Sequence, residues 1–243
     1  VQSGKAVTVF HIENVHLWDG VADPYLYSIA ASLPGGDAVA VHFGCRKIDF
    51  KPDTGFWLNG RNVRLVGAAR HQDRAGLGNA LTAAEHEEDM QLLRDMGANT
   101  VRLAHYQHAQ YFYDLCDKYG LVAWAEIPYI TEHMPEATAN TLSQMEELVL
   151  QNYNHPSIIC WGLSNEITVT TGVTENLTAN HRLLNDLCHR LDATRPTTMA
   201  HAFMLDPNDP FVQLPDICSY NLYYGWDLGE LQQNDEFFDT FHK

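Results

Sequence analysis

The chain has 243 residues, of which 45% are hydrophobic and 19% are charged, a composition typical of a globular protein with a sizeable core. Its formal net charge of −16 argues against binding to nucleic acid, whose phosphates favour a basic face, and against binding to an anionic membrane surface. No apolar run is long enough to predict a transmembrane helix.

The first part of the chain predicts β-structure. Residues 6–12 and 37–50 alternate polar and apolar side chains, and residues 25–33 form another strand candidate before a Pro-Gly-Gly turn. A self-sufficient β-sandwich contains more strands than these segments provide. We therefore predict a partial β-sandwich domain over residues 1–58 and a second domain over residues 59–243.

The second part predicts strands that alternate with helices. The predicted strands lie at 63–70, 98–105, 121–127, 157–165, 197–201 and 216–224, and the predicted helices at 82–97, 108–120, 138–154 and 174–192. At the start of the first helix, Thr82 and Glu85 have the spacing of a capping box. This alternation indicates βαβ units and a parallel sheet.

Two parallel folds, a doubly wound sheet and a (β/α)₈ TIM barrel, produce the same alternation. The ends of the predicted strands distinguish them, because nearly all carry polar side chains: Arg70-His71, His105, Glu126, Asn165-Glu166, His201, and Asn221 with Tyr223. A barrel assembles its site from the C-terminal ends of many strands, whereas an open sheet binds ligands at one switch point. We therefore predict the α/β class and a TIM barrel, with about six of its strands in this chain.

Glu166 is the centre of the predicted site. It follows the apolar stretch 158–163, and a carboxyl group at the rim of an apolar cavity is suited to hold a proton and donate it. Asn165 beside it can donate hydrogen bonds to a substrate hydroxyl. The alternative is that both residues only cap the following loop, but the polar ends of the other strands favour a site.

Four further residues are candidates with open alternatives. His71 and His105 end neighbouring strands and are candidate ligands, although a lone histidine is more often a core residue. Arg102 lies within a strand and needs a partner if it is buried, so it either orients a catalytic carboxylate or is structural. Glu126 is either the partner of this arginine or a ligand.

The last predicted strand brings groups that suit a sugar. Asn221, Tyr223 and Trp226 offer an amide, a phenol and an aromatic face, and sugars present both hydroxyl edges and apolar ring faces. The alternative is an aromatic core cluster. Glu132 and His133 do not have a diagnostic metal-ligand spacing, so we assign no metal.

Five motifs point to a family. The stretches LNGRNVRLVGAARHQD, GANTVRLAHYQ, FYDLCDKYGLVAWAEIP, NHPSIICWGLSNE and DATRP together resemble glycoside hydrolase family 2, which comprises β-galactosidases, β-glucuronidases and β-mannosidases. RHQDR, AHYQ and WAEIP look most like a bacterial β-galactosidase group, whereas YNLYYGW is also similar to β-glucuronidases. The first 58 residues look like the end of the immunoglobulin-like sandwich that precedes the barrel in this family.

The resemblance implies a retaining β-glycosidase that hydrolyses terminal β-D-galactosides through a glycosyl-enzyme intermediate. A β-glucuronidase, a β-mannosidase and a non-catalytic carbohydrate-binding barrel are the alternatives. By motif, Glu166 matches the general acid/base of the family, and Arg102 and Glu126 support the site. The residues that match sugar-binding positions are His71, His105, Asn165, Asn221 and Tyr223.

One part of the family pattern is missing from this sequence. The nucleophile of the family is a Glu at the end of the seventh barrel strand, whereas Glu230 and Glu236 lie in a polar segment. We therefore expect the 243 residues alone to lack turnover. As a separate expectation, the full-length protein forms homo-oligomers. We assign no cofactor, although the family allows a divalent or monovalent cation.

The cysteines and the amino terminus bear on location. The five cysteines form no CxxC motif and no Cys/His cluster, which favours a reducing compartment. No signal-peptide pattern is present, so we expect a cytoplasmic protein. Because the sequence begins at Val1 and not at Met, a preceding signal peptide stays an open alternative.

Overall fold

The computed structural model describes residues 6–241, whose largest element is a parallel sheet of six strands. The strands are β6 (Gly67–Arg70), β7 (Thr100–Leu103), β8 (Val122–Glu126), β9 (Ile158–Asn165), β10 (Thr197–Ala202) and β11 (Ile217–Asn221). Each strand is hydrogen-bonded to the next along the chain, without the reversal of order that a doubly wound sheet has. The prediction of six strands of a TIM barrel is confirmed.

Helices connect these strands and cover one face of the sheet. They are α1 (Ala83–Asp95), α2 (Gln110–Tyr119), α3 (Thr138–Asn152), α4 (Glu175–Leu191) and α5 (Gln233–Phe241). The predicted capping box is present at α1, where the Glu85 carboxylate accepts a hydrogen bond from the Thr82 backbone N–H at 2.7 Å. Because helices start and stop at local signals in the sequence, the predicted positions of α1 to α4 agree closely with the structure, whereas α5 was not given bounds in advance.

Two small antiparallel sheets precede the barrel strands. They consist of β1 (Tyr27–Ser32) with β2 (Ala38–Phe43), and of β3 (Ile48–Lys51), β4 (Gly55–Leu58) and β5 (Arg61–Asn62). The strand predicted at residues 6–12 is wrong, because this segment has no regular structure. Its valines, Val7 and Val9, are 91% and 92% exposed, and no described strand pairs with it.

A compact apolar cluster joins the second of these sheets, together with the loop before β1, to the barrel strands. Trp18, Phe56 and Leu58 pack with Val122 and Ile159 of the parallel sheet. The indole N–H of Trp18 also donates a hydrogen bond of 2.9 Å to the carbonyl of Asp117, at the end of α2. A larger cluster fills the space between the parallel sheet and its helices. The amino-terminal segment is therefore packed against the barrel strands and not merely tethered to them.

The described residues also bear on membranes and thiols. No helix within residues 6–241 is both long enough and apolar enough to cross a membrane. All five cysteines lie in this range as free thiols. Burial raises the pKa of the thiols of Cys116, Cys160 and Cys188, which keeps them protonated and inert.

Two helix-ending glycines provide a matched test of the contact between the two parts. Gly97 and Gly120 have φ of +80° and +79°, so alanine at either position is strained by about 1–2 kcal/mol. A Cβ at Gly120 would lie 2.2 Å from the backbone carbonyl of Gly20, whereas a Cβ at Gly97 would meet nothing within 4 Å. We expect Gly120→Ala to lower the free energy of unfolding by about 1–3 kcal/mol more than Gly97→Ala.

Urea unfolding of both variants of the complete protein measures this difference. Equal losses in the two variants would contradict the close packing of the amino-terminal segment on the barrel.

Candidate active site

The C-terminal ends of the parallel strands bring the predicted site residues together. Side chains alternate between the two faces of a strand, so a polar residue at the correct step points away from the helices. Arg102 on β7, Glu126 on β8, Asn165 on β9 and Asn221 on β11 form one hydrogen-bonded cluster. These residues are far apart in the sequence, and only the parallel order of the strands places them side by side.

Arg102 lies at the centre of this cluster. Its Nε and Nη2 each donate a hydrogen bond of 3.1 Å to a different oxygen of Glu126, whose side chain is 1% exposed. Its Nη1 donates to Oδ1 of Asn221 at 2.9 Å, and its Nη2 also donates to Oδ1 of Asn165 at 2.7 Å. Arg102 therefore neutralises a buried carboxylate and orients two amides, and it does not contact Glu166 directly.

Glu166 is held at the edge of the cluster by two donors. Its Oε1 accepts hydrogen bonds from the phenol of Tyr223 at 2.7 Å and from Nδ2 of Asn221 at 3.0 Å. No donor among residues 6–241 reaches Oε2. Glu166 has a φ of +46°, a left-handed conformation that residues other than glycine uncommonly adopt. One oxygen of the carboxyl group is thus anchored, and the other is free to exchange a proton.

The amide of Asn165 has one side occupied and one side open. Its Oδ1 accepts hydrogen bonds from Arg102 at 2.7 Å and from Nδ2 of Asn221 at 2.9 Å. Its Nδ2 meets no acceptor in the described part of the chain. Since the oxygen faces the arginine, the N–H groups are the side available to a ligand, as a substrate-hydroxyl contact requires.

The two predicted histidines lie beside each other at one side of the cluster. The rings of His71 and His105 are 5.0 Å apart in an edge-to-face arrangement. Nδ1 of His105 lies 2.8 Å from Oε1 of Glu126, so Nε2 is the nitrogen of His105 left for a ligand.

Tyr223 contacts the ring of Trp226 at a centroid distance of 6.2 Å, and this tryptophan is 80% exposed.

The structure separates other strand-end residues from the site. His201 is buried against Phe211 and Tyr220, at ring distances of 5.8 Å and 5.4 Å. Arg70 is paired with Asp89 of α1 at 2.6 Å. These two residues, which were not among the predicted site residues, lie outside the cluster, because a position at a strand end does not determine which face the side chain takes.

Glu126 and His133, beside the site, are engaged within the protein. Both oxygens of Glu126 accept from the Arg102 guanidinium, whose positive charge would repel a metal cation, and one of them also lies beside His105. The ring nitrogens of His133 lie 2.5 Å from the Tyr129 hydroxyl and 2.5 Å from Oδ1 of Asn176. These residues therefore do not fit a resident cation.

The side of the sheet that faces the helices carries a pair not foreseen from the sequence. The hydroxyl of Ser164, directly before Asn165, lies 2.8 Å from Nε2 of His181 on α4. Both side chains are buried. A buried serine at the end of an otherwise apolar strand was the signal that sequence analysis could have used, because its hydroxyl needs a partner.

The buried His201 predicts a dependence of stability on acid pH. Burial lowers the pKa of His201 from 6.5 to about 4, and its Nε2 has no partner among residues 6–241. As the pH falls from 6.5 to 4, the unfolded chain binds a proton that the folded protein excludes, so this residue costs up to about 1.4 kcal/mol of stability per pH unit. We expect the melting temperature of His201→Leu to fall less steeply than that of the wild type over this range. Thermal melts from pH 7 to pH 4 check this, and parallel curves would contradict it.

Comparisons with known proteins agree with this architecture. The family described as "Glycosyl hydrolases family 2, TIM barrel domain" matches residues 51–242. A protein named β-glucuronidase from Bacteroides fragilis is 41% identical over 96% of this chain and 34% of its own length. A protein named β-galactosidase from Thermoanaerobacterium thermosulfurigenes is 35% identical over 79% of this chain and 27% of its own length.

A solved structure extends the similarity to three dimensions. The FMN-binding β-glucuronidase from Facaelibacterium prausnitzii L2-6 is 42% identical, with a TM-score of 0.91 over 95% of this chain and 36% of that chain. The chain thus spans about a third of the length of these two β-glucuronidases. The resemblance inferred from the five motifs is confirmed, and the chain belongs to glycosyl hydrolase family 2, of whose TIM-barrel domain it contains six strands.

Proposed function

We propose that the complete protein carrying this chain is a retaining β-glycosidase in which Glu166 is the general acid/base. The observation that carries the proposal is the anchoring of Glu166 through a single oxygen, by Tyr223 and Asn221, beside an open amide of Asn165. Membership of a glycosidase family supports it. Because the chain spans about a third of its relatives named β-glucuronidase, the activity is proposed for the complete protein.

The phenol of Tyr223 helps Glu166 to work through one oxygen. The pKa of Tyr223 is raised to about 12, mainly by burial and secondly by the hydrogen bond to Glu166. The phenol therefore stays protonated at neutral pH and keeps donating to Oε1. A proton on the carboxyl group would be carried by Oε2, from which it passes to the glycosidic oxygen as the bond to the anomeric carbon breaks. In the second step the carboxylate accepts a proton from the attacking water.

Retention needs a second carboxylate as nucleophile, about 5–5.5 Å from the acid/base. Glu126 does not suit this role, since both its oxygens are bonded to Arg102 and one also to His105. The proposal therefore assigns the nucleophile to a residue of the complete protein outside the cluster described here.

The preferred sugar is proposed from the relatives. β-D-Glucuronides are the first candidate, because the relatives at 41% and 42% identity are named β-glucuronidases. β-D-Galactosides are the second, favoured by the motif resemblance and by a relative named β-galactosidase at 35% identity. A uronate carboxylate requires a cationic partner. The guanidinium of Arg102 is already occupied by Glu126, Asn165 and Asn221, so the arginine of this cluster does not decide between the sugars.

Replacement of Glu166 tests the reaction. We expect Glu166→Gln to slow the hydrolysis of substrates with poor leaving groups by about 100- to 10,000-fold. Dinitrophenyl glycosides should lose much less in the first step, because their leaving group needs little protonation. Azide should then partly restore turnover of the activated substrate by displacing the enzyme carboxylate from the anomeric carbon. An equal loss on both substrate types, without azide rescue, would rule out the acid/base role.

The choice of sugar is tested by the ratio of two specificity constants. We expect kcat/KM of the complete protein to be higher for nitrophenyl β-D-glucuronide than for nitrophenyl β-D-galactoside, with the rate measured without protein subtracted from both. A ratio below one would favour the galactosidase alternative. Binding of either sugar without any turnover would support the non-catalytic alternative.

A further inference from the structure

Strand β9, which ends directly before Glu166, contains one residue more than the stretch of β10 that pairs with it. Along β10 and β9, Thr198 is paired with Gly162 and Ala200 is paired with Asn165. Two steps on β10 therefore correspond to three on β9, which is a β-bulge at Leu163 and Ser164. Leu163 belongs to the core between the sheet and its helices, and Ser164 is bonded to α4.

The bulge determines where the following two residues point. Strict alternation after Leu163 would turn Ser164 toward the cluster and Asn165 toward the helices. With both Leu163 and Ser164 on the helix-facing side, Asn165 joins Arg102 instead. Bulges commonly lie next to active sites, where they re-aim a side chain. Asn165 and Glu166 thus depend on a local irregularity that needs support of its own.

A fully buried hydrogen bond supports the bulge from the helix side. The Ser164 hydroxyl lies 2.8 Å from Nε2 of His181, and the two residues are 2% and 0% exposed. Nδ1 of His181 lies 2.9 Å from the carbonyl of Leu177, which can only accept. His181 must therefore carry its proton on Nδ1 and accept the Ser164 O–H at Nε2. Burial lowers the pKa of His181 to about 3, so this neutral tautomer persists through neutral pH.

The loop after β8 supports the same point from another direction. The ring of Tyr129 stacks on His181 at a centroid distance of 5.1 Å. The carbonyl of Tyr129 accepts a hydrogen bond of 2.9 Å from the backbone N–H of Asn165, whose own carbonyl accepts one of 3.1 Å from Thr131. The backbone of Asn165 is therefore held by the loop, while the residue before it is held by α4.

We propose that Ser164 and His181 are a positioning pair that holds the β9 bulge and thereby aims Asn165 and Glu166 at the substrate. The proposal rests on the proposed function of Glu166. Neither side chain of the pair faces the cluster, so both act through the backbone and not by contact with the sugar. Losing the hydroxyl or the acceptor leaves a buried polar atom unpaired and lets the bulge shift, which moves the carboxyl group away from the glycosidic oxygen.

Two pairs of variants in the complete protein test this positioning. Ser164→Ala and His181→Leu remove the hydrogen bond, whereas Ser164→Thr and His181→Gln keep a donor or an acceptor. We expect the first two to lower kcat on phenyl glycosides roughly tenfold or more, with KM changed less than about twofold and with a much smaller loss on dinitrophenyl glycosides. The conservative variants should restore most of the rate on phenyl glycosides.

A matched control separates positioning from general stability. Trp161→Phe removes another buried hydrogen bond from the helix-facing side of β9, that of the indole N–H to Asp192 at 3.1 Å. We expect this variant to lower the melting temperature without changing the ratio of rates on the two substrate types. If Ser164→Ala fails to fold, the comparison of His181→Leu with His181→Gln decides alone.

The outcomes distinguish this proposal from the proposed function. A selective loss in Glu166→Gln, together with an unchanged ratio in Ser164→Ala and His181→Leu, would overturn the positioning role and leave the acid/base role intact. No selective loss in Glu166→Gln would overturn the acid/base role and the positioning role with it. A selective loss in all three variants, absent from Trp161→Phe, is the expected result.

Discussion

The buried ion pair between Arg102 and Glu126 is the constraint on which the arrangement of the site depends. Glu126 is 1% exposed, and removal of one partner of such a pair costs about 3–5 kcal/mol because the other charge stays buried alone. The guanidinium is a rigid planar fork, so its remaining donors have fixed directions. They meet the oxygens of Asn165 and Asn221 and so determine which way both amides face. The Nδ2 of Asn221 is thereby left to donate to Glu166.

The hydrogen bonds of the site thus run in one direction, from Arg102 through the amide of Asn221 to the carboxyl group of Glu166. Arg102 donates to Asn221, and Asn221 donates to Oε1 of Glu166. Tyr223 adds a second donor to the same oxygen. The donors and acceptors of this series are already oriented by contacts within the protein. Arg102 is linked to Glu166 through Asn221 without contacting it.

The helix-facing side of the same sheet also contains buried polar groups, which are stabilised by an ion pair or by a neutral state. Polar side chains there are buried among apolar ones, and each needs a partner or a neutral state. Arg70 is paired with Asp89, His181 is neutral and bonded to Ser164, and His201 is neutral. The two faces are linked at β9, where a bulge places Ser164 on one side and Asn165 on the other. Through this link, His181 of α4 contacts the residue that directly precedes Asn165.

Local sequence alone determined the order of the elements and the residues at the strand ends. Capping residues and helix-ending glycines act within a few positions along the chain, so α1 and α2 could be predicted almost to the residue. One exception is residues 6–12, where alternation predicts a strand but no described partner forms hydrogen bonds with it. A strand forms only where a neighbouring strand makes hydrogen bonds with its backbone, and periodicity within one segment does not reveal whether such a neighbour exists.

Tertiary structure decided which polar strand ends meet and through which atoms. The sequence places Glu166 and His201 in similar positions after strands, yet one bonds to Tyr223 and Asn221 and the other is buried beneath Phe211. The difference arises from pairing register and from the bulge in β9, which depend on hydrogen bonds between residues distant in the chain. Sequence motifs could therefore single out Glu166 as a candidate, but only the packed sheet determined that Asn221 links it to Arg102 and that Ser164 turns away from the site.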